Sequence, residues 1–200
     1  MRPVADIAEL EALYGPANPM ALTKVVDRMT PLYRRFIEAA PMVMLSTVGP
    51  EGTDCSPRGE DGPVVEILDD RTLLLPDWRG NNRMDSLRNI VADGRVSLMF
   101  LVPGSGTVVR VNGTAVVTTD PEVTARFEQR GKHPRSVVAV TIAEMYTQCP
   151  KAFMRSRFWT RGDESAGLPT PGEFHRERDA AFDAEDYDAR YAQRAEGVMW

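Results

Sequence analysis

The sequence is short of most residues that carry recognisable chemistry. Only two cysteines, Cys55 and Cys149, and two histidines, His133 and His175, occur in 200 residues. Two cysteines do not make a disulfide framework, and a reducing cytoplasm suits such a chain better than an oxidising compartment. No metal site is read. No run of about 18 apolar residues exists, so no membrane span is expected. The opening "MRPVADIAELEALYG" carries acids and has no apolar signal core, so export is not expected. A basic surplus is also missing. The net charge is −5, with 19 cations and 19 acids in residues 1–159 against 5 and 10 in residues 160–200. That balance excludes a nucleic-acid surface. Lysine is scarce, 3 against 21 arginines, which genomic base composition explains.

What remains is an ordinary globular composition, 42% hydrophobic and 26% charged, long enough for one domain with a real core. Residues 1–160 read as that domain, N-terminal helices included. Residues 161–200 read as an acidic tail or arm. The tail's Phe174, Phe182, Tyr187, Tyr191 and Trp200 point to packing rather than pure disorder, which is usually poor in aromatics.

Periodicity places the elements. Residues 6–13, 19–29 and 31–40 predict short helices, with Asn18-Pro19 supplying a cap and a first-turn proline. Strands are predicted at 42–48 and 53–59 around the turn "GPEG", and a hairpin at 64–70 and 72–77 around Asp69–Arg71. Residues 81–92 predict a helix with Met84, Leu87, Ile90 and Val91 as its apolar stripe. Residues 95–104 read as a buried strand. Residues 107–120 alternate, Val109, Val111, Ala115 and Val117 on one face and Arg110, Asn112 and Thr114 on the other. A helix at 121–130, a last strand at 136–149 and a helix at 151–159 with Pro150 in its first turn complete the chain. About six short strands joined by turns argue for a mostly antiparallel sheet curled as a barrel.

Three clusters carry charge where chemistry needs it. Gly80-Asn81-Asn82 predicts a turn and cap, with Arg83 in the first helical turn and Ser86 three residues on. A helix start offers unpaired N–H groups and a positive dipole end, so an anion suits it. "CSPRGE" (55–60) sets Ser56, Arg58 and Gly59 beside Pro57, which cannot donate to a sheet ladder. "CPKAFMRSRFW" (149–159) puts Lys151 and Arg155 on one helical face, with Trp159 four further on. Each cluster alone also reads as a cap, an edge strand or a solvated face, with Glu144 a nearby acid for the third.

Order and spacing of these segments are more specific than any one of them. "MVMLSTVGPEGTDCSPRGE", "LLLPDWRGNNRMDSLRNIVADGRVSLMFLVPG", "VRVNGTAVV" and "CPKAFMRSRFW" together resemble the pyridoxamine 5′-phosphate oxidase-like family of FMN-binding split barrels, within a subgroup carrying "SPRG" and "GNNR". The resemblance implies a six-stranded antiparallel split β-barrel with flanking helices, a homodimer, and FMN in the groove between subunits. It implies that Arg58 and Arg83 hold the phosphate, assisted by Asn81, Asn82 and Ser86. Ser56 and Asp77 would border the ring or ribityl chain, and Gly59 would also belong to the cofactor site. Lys151, Arg155 and Trp159 would reach the cofactor from late in the chain, from the other subunit. The tail offers His175-Arg176 and Arg178 rather than the C-terminal Arg/His motif of pyridoxamine phosphate oxidases proper, which points away from vitamin B6 chemistry. The expected activity is an FMN-dependent oxidation or reduction of a small molecule, with NAD(P)H a possible donor. Two alternatives remain open: a non-catalytic flavin carrier or sensor, and a deazaflavin-dependent reductase on the same barrel. No catalytic acid stands out. Tyr146 and Cys149 are candidate proton donors, and His133 in "RGKHPRS" reads as a surface loop residue.

Overall fold

The computed structural model describes residues 1–200. Seven strands form one antiparallel sheet: β1 (Met42–Gly49), β2 (Gly52–Gly59), β3 (Glu66–Ile67), β4 (Thr72–Asp77), β5 (Arg95–Leu101), β6 (Val108–Thr118) and β7 (Ser136–Gln148). Their hydrogen-bonded order is β2-β1-β5-β6-β7-β4-β3. The outer strands β2 and β3 are not paired to each other, so the barrel is split. The sequence places a strand segment at each of these seven and counts about six, the number the resemblance implies. The expected hairpin arm at 64–70 shrinks to two-residue β3, whose Glu66 and Ile67 face Leu74 and Leu73.

Alternation builds the core. Val43 and Leu45 of β1, Val96, Leu98 and Phe100 of β5, and Val109, Val111 and Ala115 of β6 all point inward and are buried. The phase of β7 is less regular. Asn112 faces Glu144, but the next residue, Gly113, faces Ile142, so Ala143 is an extra, unpaired residue. This β-bulge switches the inward set of β7 from Met145 to Ile142, Val140 and Val138. Gly113 makes the bulge possible: a Cβ there would lie 2.0 Å from the Thr141 carbonyl oxygen.

The helices are shorter than their sequence patterns suggest. In the N-terminal region, α1 is Ile7–Tyr14, α2 is Pro19–Thr23 and α3 is Pro31–Ile37. The helix expected over 19–29 stops early because Val26 exchanges backbone hydrogen bonds with Met145 of β7, at 3.0 and 2.7 Å. β-Branched Val25 and Val26 lose little by leaving the helix. The helix expected at 81–92 is α4, Asp85–Ala92. Its late start changes the buried face to Ser86 and Ile90, with Leu87 partly buried, while Met84 and Val91 are exposed. α5 is Pro121–Thr124, and α6 is Lys151–Ser156 with Pro150 as its N-cap rather than in its first turn. No helix is long and apolar enough to cross a membrane.

One ion-pair cluster ties the N-terminal region to the β3–β4 turn. Arg71 donates to the Asp27 carbonyl at 3.1 Å and to its carboxylate at 2.6 Å. Hydrogen bonds from Arg28 and then Arg71 hold the Asp27 carboxyl at about 2, below its ordinary 3.8. A lowered carboxyl pKa stabilises the fold above the unfolded value and loses that effect as pH falls toward the folded one. Between about pH 4 and pH 2 the wild-type melting temperature is therefore expected to fall more steeply than that of Asp27→Asn. Parallel melting curves over that range would rule the linkage out.

The tail is helical. α7 (Pro171–Arg178), α8 (Ala184–Ala189) and α9 (Tyr191–Glu196) make a compact arm. Thr170 and Glu173 form a reciprocal capping box, and Asp188 accepts from Gly172 N at 2.9 Å. His175, Phe182, Tyr187 and Tyr191 cluster, and the Arg194 guanidinium lies 4.5 Å from the Tyr187 ring centre. The end of the arm returns to the barrel, where Arg130 donates to the Glu196 carbonyl at 3.2 Å.

Candidate functional site

Edge strand β2 tolerates Pro57 because one side of its ladder has no partner. Along β2, Asp54, Ser56 and Arg58 are half-buried, whereas Cys55 and Pro57 are exposed. The half-buried side meets α4. Ser86 donates to the Asp54 carboxylate at 2.5 Å, and the Ser56 and Ser86 hydroxyls are 3.0 Å apart. A carboxylate near the start of α4 also complements its dipole.

Arg58 reaches across the split. Its guanidinium donates to Asp77, the last residue of β4, at 2.9 Å, with side chains 26% and 21% exposed. Burial pushes the Asp77 carboxyl up, and the charge and hydrogen bond of Arg58 pull against that rise. Arg58 Nε is buried without any partner. So is the indole Nε1 of Trp78. That indole lies close enough to favour the charge of Glu60 yet closes no hydrogen bond with it. A buried donor left unsatisfied costs about 1–3 kcal/mol, so two of them on one cleft call for an acceptor.

The junction after β4 is a polar loop, not a helix start. Asn82 and Met84 are left-handed, with φ of 60° and 59°. Asn81 accepts from Arg83 N at 3.0 Å, an Asx turn rather than a helix cap. The Arg83 guanidinium is 79% exposed and donates to Asp85 at 2.5 Å. Arg83 therefore precedes α4 instead of lying in its first turn.

Arg58, Asp77, Asn81 and Asn82 line one cleft of about 470 Å³, together with Trp78, Arg79, Lys132, His133, Arg135 and Trp200. Four of these side chains are cations and Asp77 is the only carboxylate. The cleft is thus positive in a protein of net charge −5. A second hollow of about 530 Å³ adjoins it, lined by Gly59, Glu60, Met42 and the same two indoles, Trp78 and Trp200. Burial pushes the Glu60 carboxyl up, and the two indole donors act in the opposite direction.

Ser56 and Ser86 sit in the polar seam with Asp54 beside this cleft. Lys151, Arg155 and Trp159 do not join the others within one chain. They follow β7 at Gln148, the opposite end of that strand from Ser136, which pairs with Asp77. Trp159 donates to the Ser105 carbonyl at 2.7 Å and stacks on Phe153 at 5.8 Å. Lys151 and Arg155 are exposed, and Glu144, the acid near them in sequence, accepts from Asn112 instead.

Sequence reasoning missed Glu60, Trp78, Arg79, Lys132, Arg135 and Trp200. The loop "RGKHPRS" reaches the cleft because Ser136 opens β7 opposite Asp77, a pairing no local pattern reports. His133 does line the cleft, and its Nδ1 faces the Phe127 carbonyl at 2.6 Å, so that nitrogen carries the hydrogen.

The profile described as pyridoxamine 5′-phosphate oxidase matches residues 29–149, all seven strands and α4 included. The chain belongs to the pyridoxamine 5′-phosphate oxidase family. Among solved structures it is similar to HupZ of Group A Streptococcus, at 17% identity and a TM-score of 0.50 over 60% of this chain and 94% of that one. It is also similar to an FMN-binding protein of Syntrophomonas wolfei, at 17% identity and a TM-score of 0.42 over 57% and 86%. An F420 reductase aligns at 17% identity and 0.42 over 60% and 98%. At such identities the likeness is one of fold. None of the curated proteins compared matches the chain. Membership of the pyridoxamine 5′-phosphate oxidase family accounts for the split sheet; the matched residues end at 149, before α6 and the arm.

Proposed function

We propose that the protein is an FMN-dependent oxidoreductase acting on a small molecule, cytoplasmic and homodimeric, with the flavin seated at the split between β2 and β4. The observation that carries this reading is the convergence of Arg58, Asp77, Asn81 and Asn82 on one positive cleft holding two buried donors without acceptors. The residues fit the group. A phosphate monoester takes a guanidinium fork and amide donors, and a ring edge rich in acceptors takes an indole N–H. The cleft's volume lies within the usual range for small-molecule sites.

In this reading Arg58 holds the phosphate while Asp77 keeps the guanidinium aimed across the split. Asn81 and Asn82 donate amide N–H groups. Arg83 swings from Asp85 to the phosphate, an exchange of one exposed acid for a dianion. Lys151, Arg155 and Trp159 come from the second copy, because their own chain holds them away from the cleft. A bound flavin supplies hydride acceptance and return; the protein supplies position and field.

The purified protein is expected to be yellow and to release FMN by mass. Its colour is expected to bleach under anaerobic NAD(P)H and return with an added acceptor. Flavin without bleaching would make the protein a carrier or sensor, and a released deazaflavin would move the chemistry to that cofactor. A colourless protein that takes up neither cofactor would overturn the reading. Arg83→Ala is expected to weaken flavin retention about tenfold, the loss of one charge-assisted contact, with the melting temperature unchanged because the side chain is exposed. Full retention would remove Arg83 from the cradle.

A further inference from the structure

Trp200 lies in the arm, beyond residues 29–149 that the family model matches, and residues of the barrel region hold it. Trp78 and Trp200 are the two residues common to both hollows, so both stand where the two hollows meet. Trp200 is held from three directions. Its Nε1 donates to Glu60 at 3.2 Å, Lys132 donates to its carbonyl at 2.8 Å, and the Arg130 guanidinium lies 4.8 Å from its ring centre. Arg130 also grips the end of α9 through the Glu196 carbonyl. The capped arm therefore delivers this ring to a defined place. Trp78, which lines the same two hollows, keeps its buried N–H without a partner.

We propose that Trp200 is a ligand-binding residue: with Trp78 it walls a slot for a planar heteroaromatic ring, and Glu60 stands at the slot as its hydrogen-bond acceptor. The inference rests on the flavin reading above and adds the arm to the site. An indole presents a large rigid π-face and loses little entropy on stacking, which suits a flat ring better than an aliphatic wall. The adjoining cations Arg58, Arg79, Lys132 and Arg135 then take the anionic end of the same molecule. The ligand class is a planar nitrogen heterocycle carrying a phosphate or carboxylate.

The test uses full-length protein stripped of cofactor and titrated with FMN. Binding is followed by flavin absorbance, by circular dichroism in the flavin band and by indole fluorescence. Trp200→Ala is expected to bind FMN about tenfold more weakly. Its flavin dichroism changes shape and its indole quenching falls. Trp200→Phe is expected to stay within about twofold of wild type, because a ring remains. Thermal melting of each variant checks that the barrel is intact. Equal affinity and unchanged dichroism in Trp200→Ala would overturn the assignment of Trp200 while leaving the Arg58 cradle standing. Tighter binding in Trp200→Ala would overturn it too, since the ring would then be a plug. Failure of the wild-type chain itself to bind FMN would overturn both readings together.

Discussion

Arg58→Ala is expected to lower FMN affinity by at least about 100-fold and to strip the flavin during purification. The guanidinium spans the split to Asp77 at 2.9 Å and keeps a further buried nitrogen, Nε, without a partner. Hydrogen bonds to charged groups contribute about 1.5–3 kcal/mol each, so losing two to a phosphate reaches that factor. The variant also leaves the Asp77 carboxylate, already pushed up by burial, without its counter-charge. A raised carboxyl pKa favours the folded state below the unfolded value and works against it as pH rises through the folded one. Arg58→Ala is thus expected to lose more thermal stability at neutral pH than near pH 4, the ordinary carboxyl range. Adding Asp77→Asn is expected to restore most of the melting temperature and none of the flavin. Retention of the flavin by the double variant would show that Arg58 serves the fold and not the ligand.

Gly113→Ala is expected to be among the most damaging single changes that add only one methyl group. The new Cβ would sit 2.0 Å from the Thr141 oxygen and 3.1 Å from its carbonyl carbon, both backbone atoms of β7. Neither can rotate away, so the β6–β7 pair must separate at the bulge. Overpacking of this kind costs about 1–3 kcal/mol and occasionally more. For a chain of this size each kcal/mol moves the melting temperature by about 2–4 °C, so a fall of roughly 2–12 °C is expected. The bulge also sets which β7 residues face the core, so the variant is expected to expose Ile142 or Met145 and to bind a hydrophobic dye. A melting temperature within about 1 °C of wild type would mean that β7 has another register available.

The strands were legible because each buries one face. Val43 and Leu45, or Val109 and Val111, recur every second residue as a half-buried pleat requires. The junction after β4 was legible as a polar, turn-forming stretch, but its geometry was not. Two left-handed residues, Asn82 and Met84, delay α4 by a full turn, and nothing in "GNNRMD" distinguishes that loop from a capped helix start. Helix lengths were overread for a related reason. Propensity is local, whereas Val26 leaves its helix to bridge Met145, more than a hundred residues away.

By itself the sequence determined the kind of fold and the kinds of group available: an antiparallel, half-buried set of strands, arginines flanked by turn formers, and an acidic aromatic tail. These follow from period, composition and local turn chemistry, which act over a few residues. Only the tertiary structure decided which groups meet. Arg58 finds Asp77 because β2 and β4 lie across an unclosed edge; Lys132 and Arg135 reach the same cleft because β7 begins opposite Asp77; Trp200 returns because a capped arm brings it back. Strand order, register and arm docking are long-range closures. Their free energy comes from surfaces distant in the chain, and no short pattern of residues records it.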